Sequence, residues 1–579
     1  MGGRCCTQSP EEQDPAYQDV CMMMVHPCSF PMYVVKVADF LAMEGPPQAH
    51  DALKDQDLLH EWRPGMFVAF ISHQWLGNTH PDPAGAQTSV LRRALRGFID
   101  QTLVVETDLI SMDITKPFAM QTCEALANGY IYFDWFAIPQ ITARKEGVNE
   151  EDTKSDAARA VQSIPAYVEV SDLFIALVPE MVHCGTGHRC NYTSWLSRGW
   201  CRAELWCRLL SNKKDTSVIV VYSERDATYI FPLDWQQNLI SNGEFTVESD
   251  REAVVKLGEM AVQSKIQHLE YDGPITYYRF YEAIRPKLLG RPQEDLDMAS
   301  FLQRFRFESL EAAINEDSSM NAMVCAVFAG DAKILQLLVE HRGDANRRLK
   351  GLADLGYFDT QTLLMAAAKS RQAPEVLSTL IDLRADPFAV SRSGINAAYL
   401  VRSPGQVKVL LEARMDVNTN FSIHGACSFA DPATVQAILS ARGDVRSQIE
   451  GYTPLMACAL FARGNRFSCD NARLLIANKA DVDDIAFPNG VFSFECNIAR
   501  FAAFLNGFEN VSSVTRMLAS VPGITALSTA AMMGDAGLCQ LLLDNGAEMT
   551  PNARGDSPEY LASVNRHEHL IPMLSTFAT

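Results

Sequence analysis

The stretch SRGWCRAELWCRLL, Ser197 to Leu210, sets one acid, Glu204, between two tryptophans and two cysteines on a helical pattern. Cys201, Leu205 and Leu209 fall at four-residue spacing as a buried stripe, with Trp200 and Glu204 on the adjoining face. Two roles are open to that carboxylate. It can pair with Arg208 one turn on, a surface contact contributing about 0.3–0.5 kcal/mol, or it can be the chemical centre of the protein. Residues of reactive type also stand together in Ser72-His73-Gln74-Trp75 and in Asp134-Trp135. The tightest Cys/His cluster, HCGTGHRC with His183, Cys184, His188 and Cys190, lacks a zinc-knuckle spacing, so a water-facing loop and no metal site are expected. Neither a G-x-G-x-x-G nor a G-x-x-x-x-G-K-[ST] loop is present, which disfavours a standard dinucleotide fold and a P-loop NTPase.

Short β-rich runs have to position these groups. MFVAFIS (66–72), GYIYFDWFAI (129–138), SDLFIALVP (171–179) and TSVIVVYS (216–223) read as buried strands, and TLVVETDLISMDI offers another. Helical patterns separate them: AQTSVLRRALRGFIDQ, DAARAVQSIPAYVEV and the Glu204 segment. Continuous apolar strands alternating with helices predict an α/β parallel sheet covered on both faces. Ligands of such sheets bind outside the carboxyl ends of the strands, where Ser72, His73, Gln74, Trp75, Asp134 and Trp135 are expected.

The order VAFISHQWLG, IYFDWFAIPQ, SIPAYVEVSDLFIALVP, SRGWCRAEL resembles the Toll/interleukin-receptor (TIR) domain and its relative, the heterokaryon-incompatibility (HET) domain, over about residues 60–225. Ser197, Gly199-Trp200-Cys201, Glu204 and Leu205 match the S-x-W-C-x-x-E-L segment of plant TIR domains. ISHQWLG and DWFAIPQ look like the S-Y-x-W-G and I-D-x-x-C-I-x-Q segments of HET domains. His73 departs from the residue usual after that serine, and the loop LGNTHPDPAGA is longer. The resemblance implies a flavodoxin-like fold and, as in TIR domains that cleave NAD, Glu204 as the catalytic residue. It implies Ser72, His73, Trp75, Asp134, Trp135 and Trp200 around the nucleotide, with Trp75, Trp135 or Trp200 stacking on a base. NAD would be a substrate, with no cofactor required. Many TIR domains are interaction modules without turnover, so a non-catalytic scaffold is the alternative, and self-association through this domain is a further implication.

The C-terminal half repeats itself. Units such as AMVCAVFAGDAKILQLLVEHRGDAN and TLLMAAAKSRQAPEVLSTLIDLRADP close on Asp344, Asp386, Asp416, Asp444, Asp481 and Glu548, spaced 42, 30, 28, 37 and 67 apart, the last interval holding one degenerate copy. Paired short helices at a period near 33 resemble ankyrin repeats over about 320–576, although TPLMACAL carries Met456 where the T-P-L-H-x-A motif has His. Ser403-Pro404, Asp431-Pro432 and Ser557-Pro558 read as N-caps followed by a first-turn proline. The resemblance implies an all-α solenoid that binds a protein partner.

The organisation expected is therefore an N-terminal segment (1–58), an α/β domain (59–225), a helical connector (226–319) and the repeat array (320–576). A formal charge of −20 argues against nucleic acid as partner. Scattered cysteines and the absence of a signal peptide or an apolar run of membrane-spanning length point to the cytoplasm. Gly2 with Cys5 and Cys6 fits dual acylation and hence peripheral membrane tethering; an unmodified terminus is the other reading.

Overall fold

The computed structural model describes residues 28–107, 120–144, 147, 149–230 and 235–577; Gly2, Cys5 and Cys6 lie outside them. The chain divides into two units, one of Met1–Pro232 with Ile240–Asp272, the other of Leu233–Leu239 with Gly273–Thr579.

An eight-stranded sheet carries the first unit. Its strands are β1 (Tyr33–Lys36), β2 (His60–Glu61), β3 (Val68–His73), β4 (Val105–Thr107), β5 (Tyr130–Phe133), β6 (Leu173–Leu177), β9 (Val218–Val221) and β10 (Ala227–Ile230), while β7 (Met181–Val182) and β8 (Arg189–Cys190) form a separate hairpin. The order across the sheet is β2-β1-β5-β3-β6-β9-β10-β4. The four central strands β5, β3, β6 and β9 are parallel, with Ile71 opposite Phe133 on one side and Ile175 on the other. All six residues of β3 are buried, as expected for a strand covered on both faces. First of the parallel strands in the chain, β3 receives the second on one flank and the third on the other. Connections therefore leave it in opposite directions, the topology that in open parallel sheets sets a crevice at the carboxyl end.

Several runs end earlier than their composition suggests. Of Gly129–Ile138 only Tyr130–Phe133 is strand; Asp134 then starts the one-turn helix α2 (Asp134–Ala137), which its carboxylate favours at the N-terminus. The helix α1 before it spans Ala86–Ile99. DAARAVQSIPAYVEV divides into α3 (Glu150–Gln162) and α4 (Ile164–Val170), because Pro165 cannot continue α3 but suits the first turn of α4. The helices α5 (Tyr192–Ser197), capped by Asn191, and α6 (Gly199–Leu209) follow β8, and α7 (Asp250–Asp272) packs on α6. β1 pairs antiparallel with β5, so the sheet also draws on chain ahead of residue 59.

Helical pairs make up the second unit, among them Ala322–Ala329 with Ala332–Glu340, Leu363–Lys369 with Pro374–Asp382, Ser422–Phe429 with Pro432–Ser440, and Ala526–Met533 with Ala536–Asp544. Ser403, Asp431 and Ser557 accept from the backbone N–H groups of Gln406, Thr434 and Tyr560, so the three proline-linked caps form. Each closing aspartate has a mechanical task. Two residues before it, Arg342, Arg384, Arg414, Arg442 or Lys479 takes φ between 62° and 75° and stops the helix. The Asp344, Asp386, Asp416 and Asp444 carboxylates then accept from the N–H two residues on, at 2.8–2.9 Å. Asn346 and Asn418 reach from these turns to the next ones, each bonding the N–H and C=O of the following repeat's close.

Candidate functional site

Residues from two strand ends and the helices beside them meet at the carboxyl edge of the parallel sheet. Ser72 and His73 end β3, Asp134 follows β5, and Glu204 faces them from the second turn of α6. The Ser72 hydroxyl donates to Glu204 Oε2 at 2.5 Å and accepts from Trp195 Nε1 at 3.0 Å. His73 Nε2 lies 2.9 Å from Asp134 Oδ1, while Asp134 Oδ2 accepts from Trp75 Nε1 at 2.9 Å. The other ring nitrogen, His73 Nδ1, faces Gln87 Oε1 at 3.0 Å and the Gln74 carbonyl at 3.2 Å. Both nitrogens thus face acceptors, which only an imidazolium satisfies. The ring stacks on Phe133 at 4.1 Å between centroids, fixing its plane.

The charges follow from these contacts. Burial works against a charged His73, yet the Asp134 carboxylate, through its charge and hydrogen bond, raises the His73 pKa above its ordinary value. Burial likewise opposes ionised Asp134, but His73, the Trp75 and His73 hydrogen bonds and the Trp135 backbone N–H hold its pKa low. Glu204 has no cation hydrogen-bonded to it. Loss of solvation raises its pKa to about 8, the Ser72 hydrogen bond pulls down against that, and the Asp134 charge adds to the rise, which the nearby His73 charge only partly lowers. At neutral pH the site holds one locked ion pair beside a mostly protonated acid. Asp134, Trp75 and Glu204 are half-buried, so each keeps part of its surface at this polar edge.

The surface pair expected between Glu204 and Arg208 does not form. Arg208 is 1% exposed and turns the other way, donating to the carbonyls of Ser217, Ser171 and Asp172 at 3.2, 3.4 and 3.3 Å. Cys201, Leu205 and Leu209 are buried as their spacing indicates. Ser72, His73, Trp75, Asp134 and Glu204 come together. Trp200 instead donates to Asp250 at the start of α7, and Trp135 is 2% exposed with its N–H on the Pro47 carbonyl. Trp135 is buried and Trp200, half-buried like Trp75, is bonded to Asp250; Trp75, edge-on to Trp135 at 5.5 Å, is the indole bonded to the site's own carboxylate. Gln74, expected at this edge, accepts from Ser194 through its amide oxygen at 2.7 Å, and two further residues, Trp195 and Gln87, join the site. No local motif marks them, since tertiary packing alone brings them to β3. In HCGTGHRC, His183 Nδ1 accepts from the Gly185 and Thr186 N–H groups at 3.1 and 3.2 Å, shaping the β7–β8 turn.

No protein-family model matches the chain, and no curated protein does. Among solved structures, the chain is similar to the crystal structure of the ankyrin repeat domain of Bcl-3, described as a unique member of the IkappaB protein family. The match has 20% identity and a TM-score of 0.28, covering 44% of this chain and 98% of that one.

Proposed function

We propose that the α/β unit is a TIR/HET-like domain of flavodoxin-like topology that cleaves NAD at the nicotinamide–ribose bond, with Glu204 as the catalytic residue. The observation that carries the reading is the Ser72–Glu204 contact: the acid is aimed at the crevice by a neutral hydroxyl and is not neutralised by Arg208. Breaking the bond sends the electron pair to the cationic nicotinamide, which leaves neutral, and develops positive charge on the ribose. Ionised Glu204 stabilises that charge. Water adds at the vacated carbon and gives up a proton, leaving ADP-ribose. His73 and Asp134 act as a rigid wall, and Trp75 offers a face for a ring. In this reading the helical pairs are an ankyrin array that binds a protein partner, and tethering through Gly2, Cys5 and Cys6 places the protein at a membrane surface.

One observation favours a second reading. Burial raises the Glu204 pKa to about 8, so only a minor fraction is ionised at neutral pH to meet a ribosyl cation. The domain would then be a non-catalytic scaffold. Incubating the purified full chain with NAD at several protein concentrations, at pH 7 and pH 9, and measuring free nicotinamide separates the two. Release that rises with pH and disappears in Glu204→Gln supports catalysis; no release under any condition leaves the scaffold.

A further inference from the structure

The helix Gly490–Asn506 differs from those beside it in the array. Pro454–Leu460 and Ala526–Met533, in the same place within their pairs, run 7 and 8 residues and are buried along their lengths. Gly490–Asn506 runs 17 residues, packs beside Ser513–Ser520 and buries Cys496, Ala499 and Ala503. Its opposite side carries Val491, Phe494, Ile498, Phe501 and Leu505, exposed by 76, 65, 53, 63 and 63%. Their separations are 3, 4, 3 and 4 residues, the 3.5-residue period of a helix that packs along a second helix. Glu495 and Arg500, the helix's two charged residues, fall outside that row.

We infer that this face is the contact between two copies of the chain, paired antiparallel about a two-fold axis through Gly490–Asn506. The row is complementary to itself in that direction. Val491 meets the second copy's Phe501, and Phe494 meets its Ile498, so each layer sets one phenylalanine against one aliphatic side chain. Leu505 arrives where the second copy's Phe487, exposed just ahead of the helix, stands. A parallel pair would stack Phe494 on Phe494 and Val491 on Val491, alternating overfilled and underfilled layers. Symmetric pairing also repeats each contact, as a closed dimer requires. Area agrees. At about 150–250 Å² per aromatic side chain, this row with the flanking Phe504 presents on the order of 800 Å², which is above the roughly 300–600 Å² of the largest patch on a typical monomer and equals the ~800 Å² each partner gives a stable interface. A membrane surface suits it less. Interfacial helices carry Lys and Arg on the polar side, and here a single arginine is balanced by a glutamate in a chain of charge −20. This inference is independent of any NAD chemistry.

Sedimentation velocity of the full chain carrying Gly2→Ala, from low to high micromolar, tests it. The expected result is a concentration-dependent species of twice 64.1 kDa. Phe494→Glu and Ile498→Lys each raise the dimer dissociation constant about thirtyfold or more, with unchanged far-UV circular dichroism because both sites face water. Mixing the two variants restores association, since one layer regains its native pair and the other sets Glu against Lys. A chain monomeric at every concentration overturns the proposal, as do variants that associate like the parent. Failure of the mixture to associate overturns the antiparallel arrangement. A monomer that floats with phosphatidylcholine–phosphatidylserine vesicles, and stops doing so in Phe494→Glu, assigns the face to lipid instead.

Discussion

Glu204 and Arg208 lie one helical turn apart and do different work. Glu204→Gln keeps the hydrogen-bonding reach of the side chain and removes the charge. If the proposed chemistry holds, turnover of NAD falls about a hundredfold or more, measured as nicotinamide released per enzyme. The parent's kcat/KM should climb with pH and level off above about 8, where free Glu204 is ionised. Stability runs in the opposite direction. The folded pKa is raised above the unfolded one, so the native state binds the extra proton between them. Its stabilising effect is complete below the unfolded pKa and is lost as pH rises through about 8. Glu204→Gln does not titrate, and relative to the parent it should gain on the order of 2 kcal/mol of unfolding free energy between pH 6 and pH 9, read from urea melts at both values. Arg208→Ala should cost about 2–5 kcal/mol at any pH, because it empties a buried volume and strands three backbone carbonyls. Arg208 therefore cannot serve as a silent control for Glu204.

At the scale of elements, the repeat turns decide how far the helical pairs act together. Asn418 holds the N–H of Asp444 and the C=O of Arg442 across one repeat boundary. Asn418→Ala should lower array stability by about 1–2 kcal/mol and broaden its denaturant transition, because coupling between neighbouring repeats sets cooperativity in such arrays. Leu364 and Leu542 are 1% and 0% exposed inside their helices. Leu364→Asp or Leu542→Asp buries an unpaired charge and should unfold the array; unchanged helix content and melting curve in both would contradict a core at these positions.

For the whole molecule, the position of the chain in the cell is a separate question from its fold. No described helix is long and apolar enough to cross a membrane. One acyl chain binds only marginally, and two give a durable hold. If Gly2, Cys5 and Cys6 are acylated, the protein expressed in a eukaryotic cell should sediment with membranes and Gly2→Ala should stay in the supernatant. Equal partitioning of the two would remove the lipid anchor.

What the sequence determined by itself is local. Short apolar runs such as VIVV and LFIAL are strands because four or five unbroken apolar positions rich in β-branched and aromatic residues suit a sheet covered on both faces. Ser-Pro and Asp-Pro pairs are helix starts because cap oxygen and fixed φ act within one turn. The gathering of Ser72, His73 and Asp134 at one edge is also legible, since the strand ends of a parallel sheet converge there, whereas Glu204 is expected among them only through the TIR resemblance. Tertiary structure alone decided which charges meet. Spacing of i, i+4 places Glu204 and Arg208 on neighbouring parts of one helix surface, but the carbonyls of Ser171, Asp172 and Ser217 claim the guanidinium. It likewise turned Trp135 to Pro47 and Trp200 to Asp250, leaving Trp75 at the crevice. A side chain's partner depends on segments far away in the chain, and the acidity of Glu204 depends on that partner and on the water removed around it.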